Sequence, residues 1–345
     1  MIDYKKYLME YDGPSVRLME VCGTHTAQIS HCGIPSMLSP QIQLISGPGC
    51  PVCVTVTSYI DRLVELCMEP GTVVVTFGDM LRVTGSSQSL NDAKAAGGQV
   101  QMVYSPMDTL KLAAADKTKT FVFAAVGFET TTPIYAMLLK EAIQSDITNI
   151  KILTSLKTMP PVINWVCEKQ GGIDGFLAPG HVSVITGSNI FNELSDRYQI
   201  PFAVAGFEGE QILTAIYALV RRQGKAGVMN LYPSAVTAQG NETAQHAVEK
   251  YFMPCDAAWR GMGVIADSGM MLREEYRMFD AGSANLNADH GAHSGCRCAQ
   301  VLTGALKPTE CPLFGTGCTP QSPQGACMVS AEGSCYNYFV NKRKR

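Results

Sequence analysis

Thirteen cysteines stand in a chain of 345 residues, and they are unevenly spread. Six of them, Cys296, Cys298, Cys311, Cys318, Cys327 and Cys335, fall within a 40-residue stretch rich in Gly and Pro. Within it, Cys296, Cys311, Cys318 and Cys335 are separated by 14, 6 and 16 residues. A cuboidal iron–sulfur cluster needs four soft thiolates, and turns bring such ligands around it more readily than helices do. Tetrahedral zinc is the direct rival, because thiolate sites for the two metals look alike in sequence. The spacing matches neither zinc-ribbon CxxC pairs nor the common ferredoxin run, and unligated thiols are the remaining reading.

Two further thiol motifs lie near the start of the chain. Gly49-Cys50-Pro51-Val52-Cys53 is a CPxC in a strand-to-helix turn. At a helix N-terminus the dipole favours the thiolate of the first cysteine, and the pair can cycle between dithiol and disulfide. The bland reading is two buried thiols. In Glu20-Val21-Cys22-Gly23-Thr24-His25-Thr26, Gly23 permits close backbone approach to Cys22, and His25 is near enough to tune the thiol or take its proton. A lone cysteine after an apolar stretch is otherwise core, and the nearby His31 and Cys32 read as structural. Glu129, His181 and Glu208 sit in Gly- or Pro-containing turns. The two acids are as well explained as complements to the dipoles of the helices they precede, and His181 as a proton carrier or hydrogen-bond donor. There is no P-loop and no GxGxxG, so nucleotide binding has no support.

The elements that must position these groups alternate. Apolar strands are expected at 43–46, 71–77, 121–126, 150–156 and 202–205, with helices at 59–68, from Pro133 onward, and at 208–222. Strands apolar on both faces, alternating with helices, indicate parallel sheets covered by helices. Cys22, Cys50, Asp79, Glu129, His181 and Glu208 each follow a strand closely, where open parallel sheets form their ligand crevice. The expected fold is therefore α/β, with two Rossmann-like parallel-sheet domains and an irregular Cys-rich region. The boundaries drawn are 1–115 for an N-terminal α/β domain holding Cys22 and the CPxC, 116–228 for a second, and 229–345 for the cluster-binding region. The hydrophobic fraction of 46% and charged fraction of 17% suit a sizeable core. A net charge of −3 gives no broad nucleic-acid footprint, and Lys342 to Arg345 read as a solvated tail. No run is long enough for a membrane span, and the first residues lack the apolar stretch of a signal peptide. A cytoplasmic location is expected, where cysteines serve as metal ligands or redox thiols more often than as a disulfide framework.

Taken together, the motifs resemble the hydrogenase maturation protein family HypD. The likeness runs from about Met19 to Tyr338: MEVCGTHT at 19–26, GPGCPVC at 47–53, TFGDMLRV at 76–83, GFETTTP at 127–133, APGHVS at 178–183 and CMVSAEGSC at 327–335. The resemblance implies a scaffold and electron-transfer protein for the Fe(CN)2CO unit of [NiFe] hydrogenases. It implies a HypC-type chaperone and a HypE-type donor of cyanide-derived ligands as partners, and no nucleic acid or membrane. It implies one [4Fe-4S] cluster on Cys296, Cys311, Cys318 and Cys335. Cys22, with His25 nearby, matches the thiol that holds the iron bearing CO and CN, and Cys50 and Cys53 match the redox pair. Thr84 stands where the family pattern leads us to expect Pro, and Cys298 is an alternative ligand to Cys296. Such a protein is redox-active without being a conventional turnover enzyme. The alternative from a different class is a thiol–disulfide oxidoreductase with a structural C-terminal metal site.

Overall fold

A computed structural model describes residues 3–290 and 295–341; the basic end read as a solvated tail lies outside them. Among the described residues, eleven strands form two sheets: β1 (Val16–Glu20), β2 (Ile42–Ser46), β3 (Thr72–Thr76), β4 (Val100–Met102), β5 (Thr120–Gly127), β6 (Ile150–Lys157), β7 (Gly175–Pro179), β8 (Pro201–Ala205), β9 (Gly227–Asn230), β10 (Phe252–Trp259) and β11 (Gly263–Leu272). The first sheet has the order β2-β1-β7-β8-β9 and is parallel throughout. The second runs β10-β11-β6-β5-β3-β4. Its β6-β5-β3-β4 part is parallel, and the β10–β11 hairpin is added antiparallel on β6. The α/β class with two parallel-dominated sheets is as the sequence leads one to expect.

The local reasons are those of buried parallel strands. Every residue of β3 (TVVVT), β7 (GFLAP) and β8 (PFAVA) is buried, which requires helices on both faces. The helix Gly209–Arg221 lays Ile212, Ala215, Ile216 and Leu219 against the first sheet. The helix Thr57–Met68 lays Tyr59, Ile60, Leu63, Val64 and Cys67 against the second. Among the described residues, no helix is long and apolar enough to cross a membrane.

The sheets do not follow the expected boundaries. Strands of 1–115 are divided, β1 and β2 to one sheet and β3 and β4 to the other, and 116–228 is divided likewise. The stretch Asp116 to Thr120 leads directly into β5 within the second sheet. Residues 252–272, assigned to the irregular end, are a hairpin of that same sheet. The chain crosses between sheets repeatedly because β1 finds partners on both sides, β2 near in sequence and β7 far from it.

This order puts a topological switch in each sheet, between β1 and β7 in the first and between β3 and β5 in the second. At such points the connections leave in opposite directions and open a crevice beyond the strand ends.

Candidate functional site

Cys22 lies at the end of β1, on the switch of the first sheet. It is the N-cap of the helix Gly23–His31, with extended backbone. Burial pushes its thiol up to about 12, although the backbone N–H groups of His25 and Thr24 point at the sulfur and pull the other way. Glu332 and Glu20 nearby raise it further. The thiol is therefore protonated near neutral pH.

Two acids frame Cys22. Glu20 is 3% exposed; its carboxyl accepts the Cys22 N–H at 3.1 Å and the Thr26 hydroxyl at 2.5 Å. Burial pushes Glu20 up to about 8. Glu332 arrives from the C-terminal end of the chain and accepts the Thr24 hydroxyl at 3.0 Å. Gly23 makes room for it, since a Cβ there would stand 2.4 Å from the Glu332 Cβ. Asp79, beyond β3 in the other sheet, is close enough to raise the Glu332 carboxyl after burial and the Thr24 bond have acted. The tail therefore enters between the open ends of the two sheets.

The loop after β2 lies directly on the Cys22 turn. The Gly47 N–H donates to the Glu20 carbonyl at 2.7 Å and the Gly23 N–H to the Gly49 carbonyl at 2.9 Å. A Cβ on Gly49 would fall 2.3 Å from the Cys22 nitrogen, so only glycine permits this approach. Cys50 and Cys53 follow, joined as a disulfide with Cα atoms 5.2 Å apart. Both are buried, and the Cys53 N–H points at the Cys50 sulfur at 3.2 Å. The expected helix N-terminus is absent at this pair. Residues 51–54 are turns and the helix begins only at Thr57, so a local N–H, not a helix dipole, is what the first sulfur receives.

The dithiol in turn touches the tail: Cys53 Sγ is 3.8 Å from the Ala326 carbonyl oxygen. Ala326 opens a short helix that carries Cys327, whose sulfur is 3.2 Å from that of Cys335. Cys298 hydrogen-bonds Cys327, and this bond, then burial, holds the Cys298 thiol well above its usual range. Gly325 borders both Cys296 and Cys298: a Cβ there would be 2.7 Å from the first sulfur and 3.8 Å from the second. Cys318 accepts the Gln324 N–H at 3.3 Å. Burial pushes Cys296 up to about 12, and Cys298, Cys311 and Cys318 add to it. The six C-terminal thiols thus gather in one pocket. Among the described residues, no three His, Cys, Asp or Glu side chains are arranged around a single metal position.

Other candidates have local roles. His25 is fully buried, bonds through Nε2 to the Gly206 carbonyl at 3.0 Å and packs on Phe207. Burial pushes it down to about 4, and its backbone N–H is what meets Cys22. His181 is stacked on the same Phe207 at 3.9 Å. Glu208 caps the helix Gly209–Arg221 through a capping box with Gln211. Glu129 accepts the Met159 N–H at 2.7 Å, at the start of the helix Met159–Gln170. Its Oε2 is sealed without a partner, although the residue as a whole is part-exposed, and burial pushes it up to about 7. Cys32 sits at the far end of the helix that Cys22 begins.

Two residues of the site carried no weight in the sequence reading: Glu20 and Glu332. The first had a signal, an acid within the apolar run of β1. Glu332 had none, because it matters only through contact with a remote segment.

Comparisons with known proteins span nearly the whole chain. The family HypD, described as "Hydrogenase formation hypA family", matches residues 4–342. The hydrogenase maturation factor HypD of Escherichia coli (strain K12) is 42% identical over 335 residues, covering 95% of this chain and 90% of the relative. That of Rhodobacter capsulatus is 39% identical over 334 residues (94% and 89%), and that of Azotobacter vinelandii 39% over 341 residues (95% and 90%). With cover this complete, the chain belongs to the HypD family.

Proposed function

We propose that this chain is a hydrogenase maturation factor that holds the iron of a nascent Fe(CN)2CO unit at Cys22 while a C-terminal [4Fe-4S] cluster and the Cys50–Cys53 pair manage electrons. The observation that carries the reading is that the three cysteine-bearing segments lie against one another. Cys22 lies under Gly49, Cys53 reaches Ala326, and the thiol pocket begins at the next residue, Cys327. Its partners in this reading are a HypC-type chaperone, supplying the other ligand to the iron, and a HypE-type protein delivering cyanide-derived ligands, in the cytoplasm.

The donor set fits a cluster in chemistry. Six thiols, five of them buried and Cys296 half-buried, are soft, oxygen-poor ligands, and a buried guanidinium nitrogen of Arg260 without a partner lies in the turn packed against Ala299, next to Cys298. Cys296, Cys311, Cys318 and Cys335 would hold the group, with Cys298 and Cys327 at its margin. When bound, a cluster supplies single electrons at a potential the surrounding protein sets.

The chain's own residues do the rest. The Thr24 and His25 N–H groups stabilise the Cys22 thiolate once iron has displaced its proton. Glu20 holds the Cys22 backbone, and Glu332 ties the tail to Thr24. Cys50 and Cys53 take up two electrons and two protons as their S–S bond opens and release them as it closes. Anaerobic isolation with the HypC-type partner followed by infrared spectroscopy tests this. Absorptions of metal-bound CO and CN are expected, and lost in Cys22→Ala. A Cys22→Ala variant that keeps them refutes the role of Cys22.

A further inference from the structure

The hairpin turn between β10 and β11 contains a cation with too few partners. Arg260 is 5% exposed. Its backbone N–H donates to the Val54 carbonyl and its Nε to the Thr55 carbonyl, both at 2.8 Å. These are the residues that follow Cys53 directly. Its Nη1 is 4.0 Å from Asp289 Oδ1, a carboxylate already engaged by the Gly261 N–H at 3.0 Å and the Thr57 N–H at 3.4 Å. Its Nη2 is buried and has no hydrogen-bond partner among the described residues.

The same turn is wedged against the thiol pocket. A Cβ on Gly261 would lie 2.1 Å from the Ala299 Cβ, and Ala299 follows Cys298 in the helix Cys298–Leu302. The guanidinium therefore sits between the dithiol turn and the cysteine pocket, out of water and short of negative charge. A buried charge in that position is costly unless something compensates it.

We propose that Arg260 is the counter-charge of the thiol-held metal centre, fixing its electrostatic balance and raising its reduction potential. The inference rests on the iron–sulfur reading above. Four thiolates leave a cluster net anionic, and one-electron reduction adds one more negative charge. A fixed cation in a low-dielectric pocket stabilises the reduced form more than the oxidised one. Arginine suits the task because its charge is permanent.

The test uses the full chain, reconstituted anaerobically with iron and sulfide, as wild type, Arg260→Gln and Arg260→Lys. Iron and sulfide content is measured first; a wild type that takes up neither removes the iron–sulfur reading, and this inference with it. With a cluster present, its midpoint potential is read by EPR-monitored titration. The expected result is a shift to more negative potential, or loss of the reduced signal, in Arg260→Gln, with recovery toward wild type in Arg260→Lys. An unchanged potential in Arg260→Gln overturns the counter-charge role and leaves the cluster standing. Equal damage in both variants also overturns it, since lysine keeps the charge but not the clamp on Thr55. Should Arg260→Gln fail to fold, Asp289→Asn replaces it. Removing that carboxylate is expected to move the potential positive, and no shift, or a negative one, overturns the proposal.

Discussion

The two ends of the proposed sulfur path are built in opposite ways. Around Cys22 the backbone is fixed by regular structure: a parallel strand ends, a helix begins, and glycines let a second loop lie against the turn. Around Cys296 to Cys335 there are only short helices and turns. Its sulfurs are close, yet not arranged about one point. A site on strand ends is shaped by the sheet whether or not its cargo is present. A pocket of turns has little besides its ligands' common partner to set its geometry, and in such cases metal binding and folding are one equilibrium. The lesson is that regular structure shapes the Cys22 end and turns shape the cysteine-rich end, so that in the proposed reading the first is preorganised and the second is completed on loading.

The largest effect that would break this contrast is loss of the metal. Chelation, or Cys335→Ser, is expected to remove most hydrogen-exchange protection from residues 296–340 while β3 and β5 keep theirs. Equal loosening of both regions, read by mass spectrometry, would end the distinction. Next comes Gly49→Ala. Its Cβ has nowhere to go beside the Cys22 nitrogen, so a cost of about 1–3 kcal/mol is expected in urea melts, with iron retention falling in parallel. Cys22→Ala should cost less, about 1 kcal/mol, yet abolish iron retention while cluster content stays at the wild-type level.

The smallest effect sharpens the comparison by testing a group outside the path. Glu129 has its folded pKa raised from 4.5 to about 7. A carboxyl raised by folding contributes stability that is complete below its unfolded pKa and is lost as pH rises through the folded value. Stability of the wild type should therefore decline between about pH 4.5 and 7 relative to Glu129→Gln, followed by denaturant melts across that window. Cluster content should be the same in both proteins. Parallel stability profiles would show that Glu129 is not the buried acid described.

Much of this was legible in the sequence, for identifiable reasons. β3, β5, β6 and β8 are apolar on both faces, and Cys22, Cys50, Asp79, Glu129, His181 and Glu208 do follow strands. These are local signals. The β10–β11 hairpin was not legible. It lies at a sheet edge, is exposed at Met253, Pro254 and Asp256, and a proline such as Pro254 is tolerated only on an edge strand. The interleaving of the sheets was also hidden, because the pairing of β1 with β7 depends on contacts distant in sequence. For the site, the thiols announced themselves by type and spacing. Their neighbours Glu332 and Arg260 did not, since their importance comes from where the fold delivers them.

The central claim is that electrons pass from the tail's cysteine pocket to the Cys50–Cys53 disulfide, and its most direct test is thiol counting. The cluster-loaded chain is reduced anaerobically under a limiting, slow reductant, then alkylated, and modification at Cys50 and Cys53 is followed by mass spectrometry beside Cys335→Ser. The account predicts that both thiols appear in the loaded wild type and lag well behind in the variant. Equal rates of opening with and without the cluster would contradict it.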